Sequence, residues 1–237
     1  MQTSEAYKQI ISRGNYQFEQ SLVIGDGTPD TGLRENRIRS IEIDAGCFDG
    51  DNPAVGCAPA ATVAISIYGS ISDVPRKAKL RPYVRVVDDL ATSEWIPQGI
   101  YWADTREGNV TGTNLKIVDI TGFDALIFAD APYPSDSSHA YPLRDIDMVQ
   151  FIAGQLGCGV AADTIAKMIH GYKFPLPLGY TMREVLQMIA GCYGGNFVCD
   201  LEGNLLLLLL GELPPETRYL VDHSGNAITF GGARILI

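Results

Sequence analysis

No stretch of this 237-residue chain is apolar for long enough to cross a bilayer as a helix. The longest uninterrupted aliphatic run is the six leucines Leu205 to Leu210, far short of the ~20 residues a membrane helix needs. The segment Met1 to Gly14 scatters Glu5, Lys8 and Arg13 among its apolar residues and has no apolar core of secretory-signal length. The expectation is a protein made and kept in a cytoplasm unless a larger particle carries it out. Positive charge is scarce: 18 Lys and Arg face 28 Asp and Glu, a formal net charge of −10. Affinity for a phosphate backbone needs the opposite excess, so a nucleic-acid reader is disfavoured. The five cysteines contain no Cys-x-x-Cys and are odd in number, which argues against a disulfide framework or a zinc ribbon and leaves reduced core thiols.

Signatures of chemistry are equally sparse. Asp49-Gly50-Asp51-Asn52 begins like a calcium loop, but Pro53 stands where the third ligand belongs and no glycine follows at the sixth position, so it reads as an acidic solvated loop. Gly25-Asp26-Gly27 is followed by Asp30 where a dinucleotide loop requires glycine, and reads as a turn. His139, His170 and His223 lie in separate segments without a His-x-x-x-His pair, and His223-Ser224 lacks the Gly-x-Ser-x-Gly elbow. Asn109-Val110-Thr111 matches a glycosylation sequon and reads as a loop. No catalytic residue, metal ligand or cofactor site is expected. A hydrolase would require one of the three histidines beside a carboxylate or a cysteine in one pocket.

What is present is scaffold. With 46% hydrophobic and 19% charged residues the chain can bury a sizeable core, in one large or two modest domains. Thr181 and Glu184 form a capping box. Met182, Val185, Leu186, Ile189, Ala190 and Tyr193 then make one apolar stripe, which predicts a helix stopped by Gly194 and Gly195. Asn196 to Asp200 reads as a strand, Glu202-Gly203 as a tight turn, and Leu205 to Leu210 as a return strand apolar on both faces and so buried on both. Upstream, Ser4 or Thr3 caps a helix over residues 4 to 13, ended by Gly14, that is a docking arm or frayed. Ile38–Asp44, Thr62–Tyr68, Lys77–Val87, Gly99–Thr105 and Asn114–Thr121 are strand candidates without intervening helices, the pattern of an antiparallel barrel or sandwich. Asp145 caps a second helix with Ile146, Val149, Ile152, Ala153 and Leu156 on its apolar face and Gly157 at its end. A shorter one covers Ala162 to Ile169. Gln150, Ile152, Ala153, Gly154 and Gly157 recur 37 positions later as Gln187, Ile189, Ala190, Gly191 and Gly194, an echo that two similar helix-then-strand units or chance explain equally well.

Two sets of side chains are candidates for an interaction surface. Lys77, Lys79, Arg81 and Arg85 alternate with Ala78, Leu80, Pro82, Val84 and Val86, which puts the basic residues on one face of a strand. They either meet an acidic neighbour or guard a solvated edge strand against pairing. Trp95, Tyr101 and Trp102 are candidates for an interface or a glycan platform. Tyr101 and Trp102 face opposite ways, so at least one of them belongs to the core.

Three segments together resemble the N-terminal part of phage tail hub proteins, the family of contractile-tail baseplate hubs and siphophage tail-associated proteins. They are Trp95-Ile96-Pro97-Gln98-Gly99-Ile100-Tyr101-Trp102, then Leu115 to Leu126 with Thr121-Gly122-Phe123-Asp124-Ala125-Leu126, then Tyr141-Pro142 with the capped helix and the Tyr180 to Leu210 unit. The resemblance covers roughly residues 20 to 210. It implies an α+β chain: an arm over 1–14, a tail-tube-like β-barrel over 15–125, a smaller α/β domain over 126–220, and the start of a second barrel over 221–237, Ala227 onward. It also implies homotrimers that form a ring in the full-length protein and no catalytic residues in this region. Expected partners are the tail tube or distal tail protein, the tape-measure protein and passing DNA, which the acidic charge would not hold. The expected location is the virion tail, with the bacterial cytoplasm during assembly. The rivals are a carbohydrate- or receptor-binding module of the same tail tip and, less strongly, a hydrolase.

Overall fold

Helix α1 (Glu5–Arg13) starts where the Ser4 hydroxyl accepts the Tyr7 amide at 3.1 Å and stops at Gly14, which takes the left-handed conformation that ends helices without a Cβ clash. It is docked rather than frayed. Ile10 is fully buried, Arg13 pairs with Asp88 at 2.7 Å, and the Ser4 amide donates to Glu94 at 2.8 Å. The structure is a computed structural model and describes residues 4–34, 36–50, 52–110, 116–134, 140–211, 229–230 and 233–234.

After α1 come β1 (Gln17–Ile24), β2 (Ile38–Asp44), β3 (Thr62–Tyr68), β4 (Lys79–Val87), β5 (Ile96–Pro97), β6 (Tyr101–Val110) and β7 (Lys116–Phe123). They form one antiparallel sheet in the order β1-β4-β6-β7-β3-β2, with β5 added to β4. The expected barrel does not close: β1 and β2 are the two ends of the sheet. The physical reason lies at Leu22, whose N–H and C=O both bond to Leu33, at 2.9 and 2.8 Å. That returning segment, led in by the 3-10 turn Pro29–Thr31, takes the outer edge of β1 at this one residue. Leu22, Val63, Ile65, Ile67, Leu80, Val118 and Ile120 alternate onto one face and make the core of the sheet.

The remaining elements are β8 (Leu143–Arg144), α2 (Asp145–Leu156), α3 (Ala162–Lys167), β9 (Lys173–Phe174), α4 (Met182–Tyr193), β10 (Gly195–Cys199), β11 (Leu205–Leu209), β12 (Thr229–Phe230) and β13 (Ala233–Arg234). Helix α4 follows its sequence pattern closely. Thr181 and Glu184 close the capping box and Gly194 ends the helix in the left-handed region. The apolar stripes of α2 and α4 and the 3-10 turn Ala125–Asp130 enclose a second core around Leu126, Met148, Ile152, Leu186, Ile189 and Phe197. The chain is thus mixed α and β, mostly antiparallel sheet with few helices.

Several local expectations are corrected. Arg144, not Asp145, is the N-cap of α2. Asp145 is the first helical residue, and its fully buried carboxylate instead accepts from the Ile146 and Tyr172 amides and the Tyr193 hydroxyl, at 2.7, 3.0 and 2.6 Å. The β10–β11 connection is a five-residue loop, Asp200 to Asn204, because the Asp200 carboxylate accepts the Glu202 and Asn204 amides. The leucine strand is buried on one face only: Leu205 and Leu207 reach the core, whereas Leu206 and Leu208 are half-buried and Leu210 is 38% exposed. Asn109 lies in β6 rather than in a loop, its amide donating to Asp119 at 3.1 Å. Helix α3 ends at Lys167, short of Ile169. Asp51, Thr111, residues 114–115, His139, His223 and most of the segment 221–237 lie outside the described residues.

Candidate interaction surface

Strand β4 carries the alternating basic residues, and its partners determine what they do. β1 pairs along its whole length on one side, while β5 and β6 pair on the other. β4 is therefore interior, and its Lys and Arg guard no edge. Lys77 precedes the strand and adopts φ 55°, so it does not share the basic face. The other three are engaged within the molecule. Lys79 sits 5.8 Å from the centroid of the Trp102 ring, directly across the β4–β6 ladder. Arg81 donates to the Gly25 and Gly27 carbonyls at 2.6 and 3.2 Å, which fixes that turn. Arg85 pairs with Glu19 at 2.5 Å.

The two tryptophans separate. The Trp95 ring has two guanidinium groups within cation–π distance, Arg85 at 4.3 Å and Arg34 at 4.7 Å, and its Nε1–H donates to Asp30 at 2.9 Å. Arg34 and Asp30 were not among the candidates, since nothing in local spacing marks them as neighbours of a residue some sixty positions on. Trp102 packs on the helical core, edge-on to Phe128 at 5.5 Å, while Tyr101 is buried in the sheet core. Neither Trp presents an open ring over a concave platform.

Where the sheet meets the helices, a buried carboxylate ties both together. Asp124 caps the 3-10 turn through the Leu126 amide at 2.9 Å and holds the Ala61 amide at 3.0 Å with its other oxygen. Burial raises its pKa from the ordinary carboxylate value. Asn196 is a second clasp. Its side chain bonds the Cys57 amide and the Cys47 and Ala54 carbonyls, each at 2.8 Å, and so folds the loop before β3 onto α4 and β10.

Burial pushes the Cys158 thiol up to about 11 and the Cys199 thiol higher still, the reverse of an activated nucleophile. The His170 ring lies 5.4 Å from those of Tyr172 and Tyr193, tilted by 37° to each. Among the described residues no three His, Cys, Asp or Glu side chains group as metal ligands, and no helix is long and apolar enough to cross a membrane.

No family model matches the chain, and neither does any curated protein. Solved structures do. The 43 kDa tail protein of prophage MuSo2 from Shewanella oneidensis aligns with a TM-score of 0.56 at 12% identity, covering 90% of this chain and 61% of its own. The tail protein from Neisseria meningitidis MC58 aligns at 0.48 and 12% identity, over 90% of this chain and 54% of that one. The Francisella PdpA-VgrG complex aligns at 0.45 and 8%, over 81% and 31%. The first alone carries the comparison: this chain is similar in fold to a prophage tail protein and spans about 61% of its length.

Proposed function

We propose that this chain is a structural protein of a phage or prophage tail, a baseplate or tail-tip hub that joins the tail tube to the tip complex and lines a conduit. The observation that carries the reading is the fold shared with the Shewanella tail protein across 90% of the chain. Charge supports it as well. Arg13, Arg34, Arg37, Arg85, Arg144 and Arg183 are each paired with a carboxylate, so much of the positive charge of an acidic chain is withheld from a passing polyanion. In this reading residues 15–125 and 126–220 act as two domains. The full-length protein is a homotrimer, its neighbours are the tube or distal tail protein and the tape-measure protein, and it resides in the virion tail after assembly in the bacterial cytoplasm. Light scattering coupled to size exclusion tests it on this chain and on a longer form. A three-fold mass for the longer form supports the hub, and a longer form that stays monomeric at high concentration and beside its tail partners contradicts it.

A further inference from the structure

Asn196 ties two cysteines to one point. Its Oδ1 accepts the Cys57 amide and its Nδ2 donates to the Cys47 and Ala54 carbonyls, each at 2.8 Å, so a single carboxamide joins both cysteine backbones. The Cys57 thiol turns to the same place, its Sγ 3.7 Å from the Ala54 carbonyl that shares Nδ2 with Cys47. A disulfide spans Cα atoms about 4.4–6.8 Å apart, and two backbones bonded to one carboxamide are held close to that range. Both thiols are free.

The two cysteines are not held equally. Cys57 is 5% exposed and fixed on both sides, its amide on Asn196 and its carbonyl accepting the Phe197 amide at 2.9 Å. Cys47 is half-buried and held through its carbonyl, in a stretch between Asp44 and Thr62 that carries no helix or strand among the described residues. The Cys47 side can therefore close the remaining distance without disturbing an element. Elsewhere burial pushes the Cys158 and Cys199 thiols up, which slows exchange at both.

We infer that Cys47 and Cys57 close into a disulfide when the folded chain meets an exogenous disulfide such as oxidised glutathione, stapling the loop 47–57 onto β10. The more exposed Cys47 thiolate attacks first, forming a mixed disulfide and releasing one glutathione thiol. The Cys57 thiolate then attacks Cys47 Sγ, forms the new S–S bond and releases the second thiol. The chain loses two hydrogens and two electrons, and one glutathione disulfide takes both. On the tail reading the chain is made in a reducing cytoplasm and meets an oxidising medium when particles are released. The bond itself stands on the Asn196 clasp and holds whether or not that reading does.

The test is oxidation of the whole, reduced and folded chain with glutathione disulfide, followed by alkylation in urea and tryptic digestion. Cys47 and Cys57 both fall in the peptide Ser40–Arg76, Cys192 and Cys199 in Glu184–Arg218, and Cys158 in Asp145–Lys167. The expected Ser40–Arg76 is lighter by two hydrogens and takes no alkyl group, while the other two peptides are alkylated at every cysteine. The melting temperature rises by roughly 5–10 °C and falls back on reduction. Cys47→Ser removes both the mass loss and the rise, and a melting curve equal to the parent's under reductant shows that the variant folds. Alkylation of both cysteines after oxidation overturns the inference, as does glutathione retained on Cys47, a cross-link from Ser40–Arg76 to the Cys192 peptide, or closure without the rise in melting temperature. Equally fast closure in urea overturns it too, because nearness in sequence rather than the clasp would then make the bond.

Discussion

Arg183 forks onto both carboxylate oxygens of Asp130, at 2.5 and 3.3 Å, yet the Arg side chain is 17% exposed and the Asp side chain 65%. The same guanidinium donates to the Leu126 carbonyl at 2.6 Å and to the Ala58 carbonyl. The carbonyl bonds, away from water, outweigh the solvated ion pair. Asp130→Asn should change stability by less than about 1 kcal/mol, whereas Arg183→Met should lower it by about 2–4 kcal/mol by leaving two carbonyls without a donor. Urea midpoints at an unchanged slope discriminate the two, and equal losses would refute the asymmetry.

Thr181→Ala and Glu184→Ala each remove one half of the α4 capping box, in which the Thr181 hydroxyl accepts the Glu184 amide at 3.1 Å and Glu184 accepts the Thr181 amide at 2.7 Å. Each should destabilise by about 0.5–2 kcal/mol. Thermal melts identical to the parent would show that the helix does not depend on that start.

The shape of α4 was readable because a capping box, an apolar stripe and a terminal glycine are all local. Strands β2 and β3 were bounded to the residue for the same reason, β-branched runs between turn residues. What was hidden depends on partners far along the chain. Leu33, eleven positions on, takes the outer edge of β1 at Leu22, and no local pattern announces it. The half-buried outer face of Leu206 and Leu208 depends on what packs beside the hairpin, which a run of leucines does not specify. Lys77 read as the first residue of a strand and instead turns the chain with positive φ. Asp30 on Trp95, Ala61 on Asp124 and Cys47 on Asn196 each sit some sixty or more positions away in sequence.

Asp124→Asn isolates the junction between the two cores. Each carboxylate oxygen serves a different backbone amide, Ala61 and Leu126, while an asparagine has one acceptor oxygen and must turn an N–H toward the other donor. A loss of about 1–3 kcal/mol is expected despite the equal size. A variant as stable as the parent in denaturant would show that the two bonds are dispensable.

Docking of α1 should depend on pH. The Arg13 guanidinium hydrogen-bonded to Asp88 holds that carboxyl below its usual value, and the Ser4 hydroxyl and amide do the same for Glu94. Lowered folded pKa values mean stability that is fully present above the ordinary carboxylate values, about 4, and lost as pH falls through the lowered ones. Amide exchange in residues 4–14 should accelerate below about pH 4 before the sheet opens. Exchange there that tracks global unfolding at every pH would show that the arm is not held by these carboxylates.

Immunogold labelling of tailed particles induced from cells that carry the gene, with an antibody raised against α1 and the β6–β7 hairpin, tests the tail reading most directly. Label confined to one end of the tail tube is the predicted result. Label absent from purified tails, with the protein recovered only in the soluble fraction of the lysate, would contradict it.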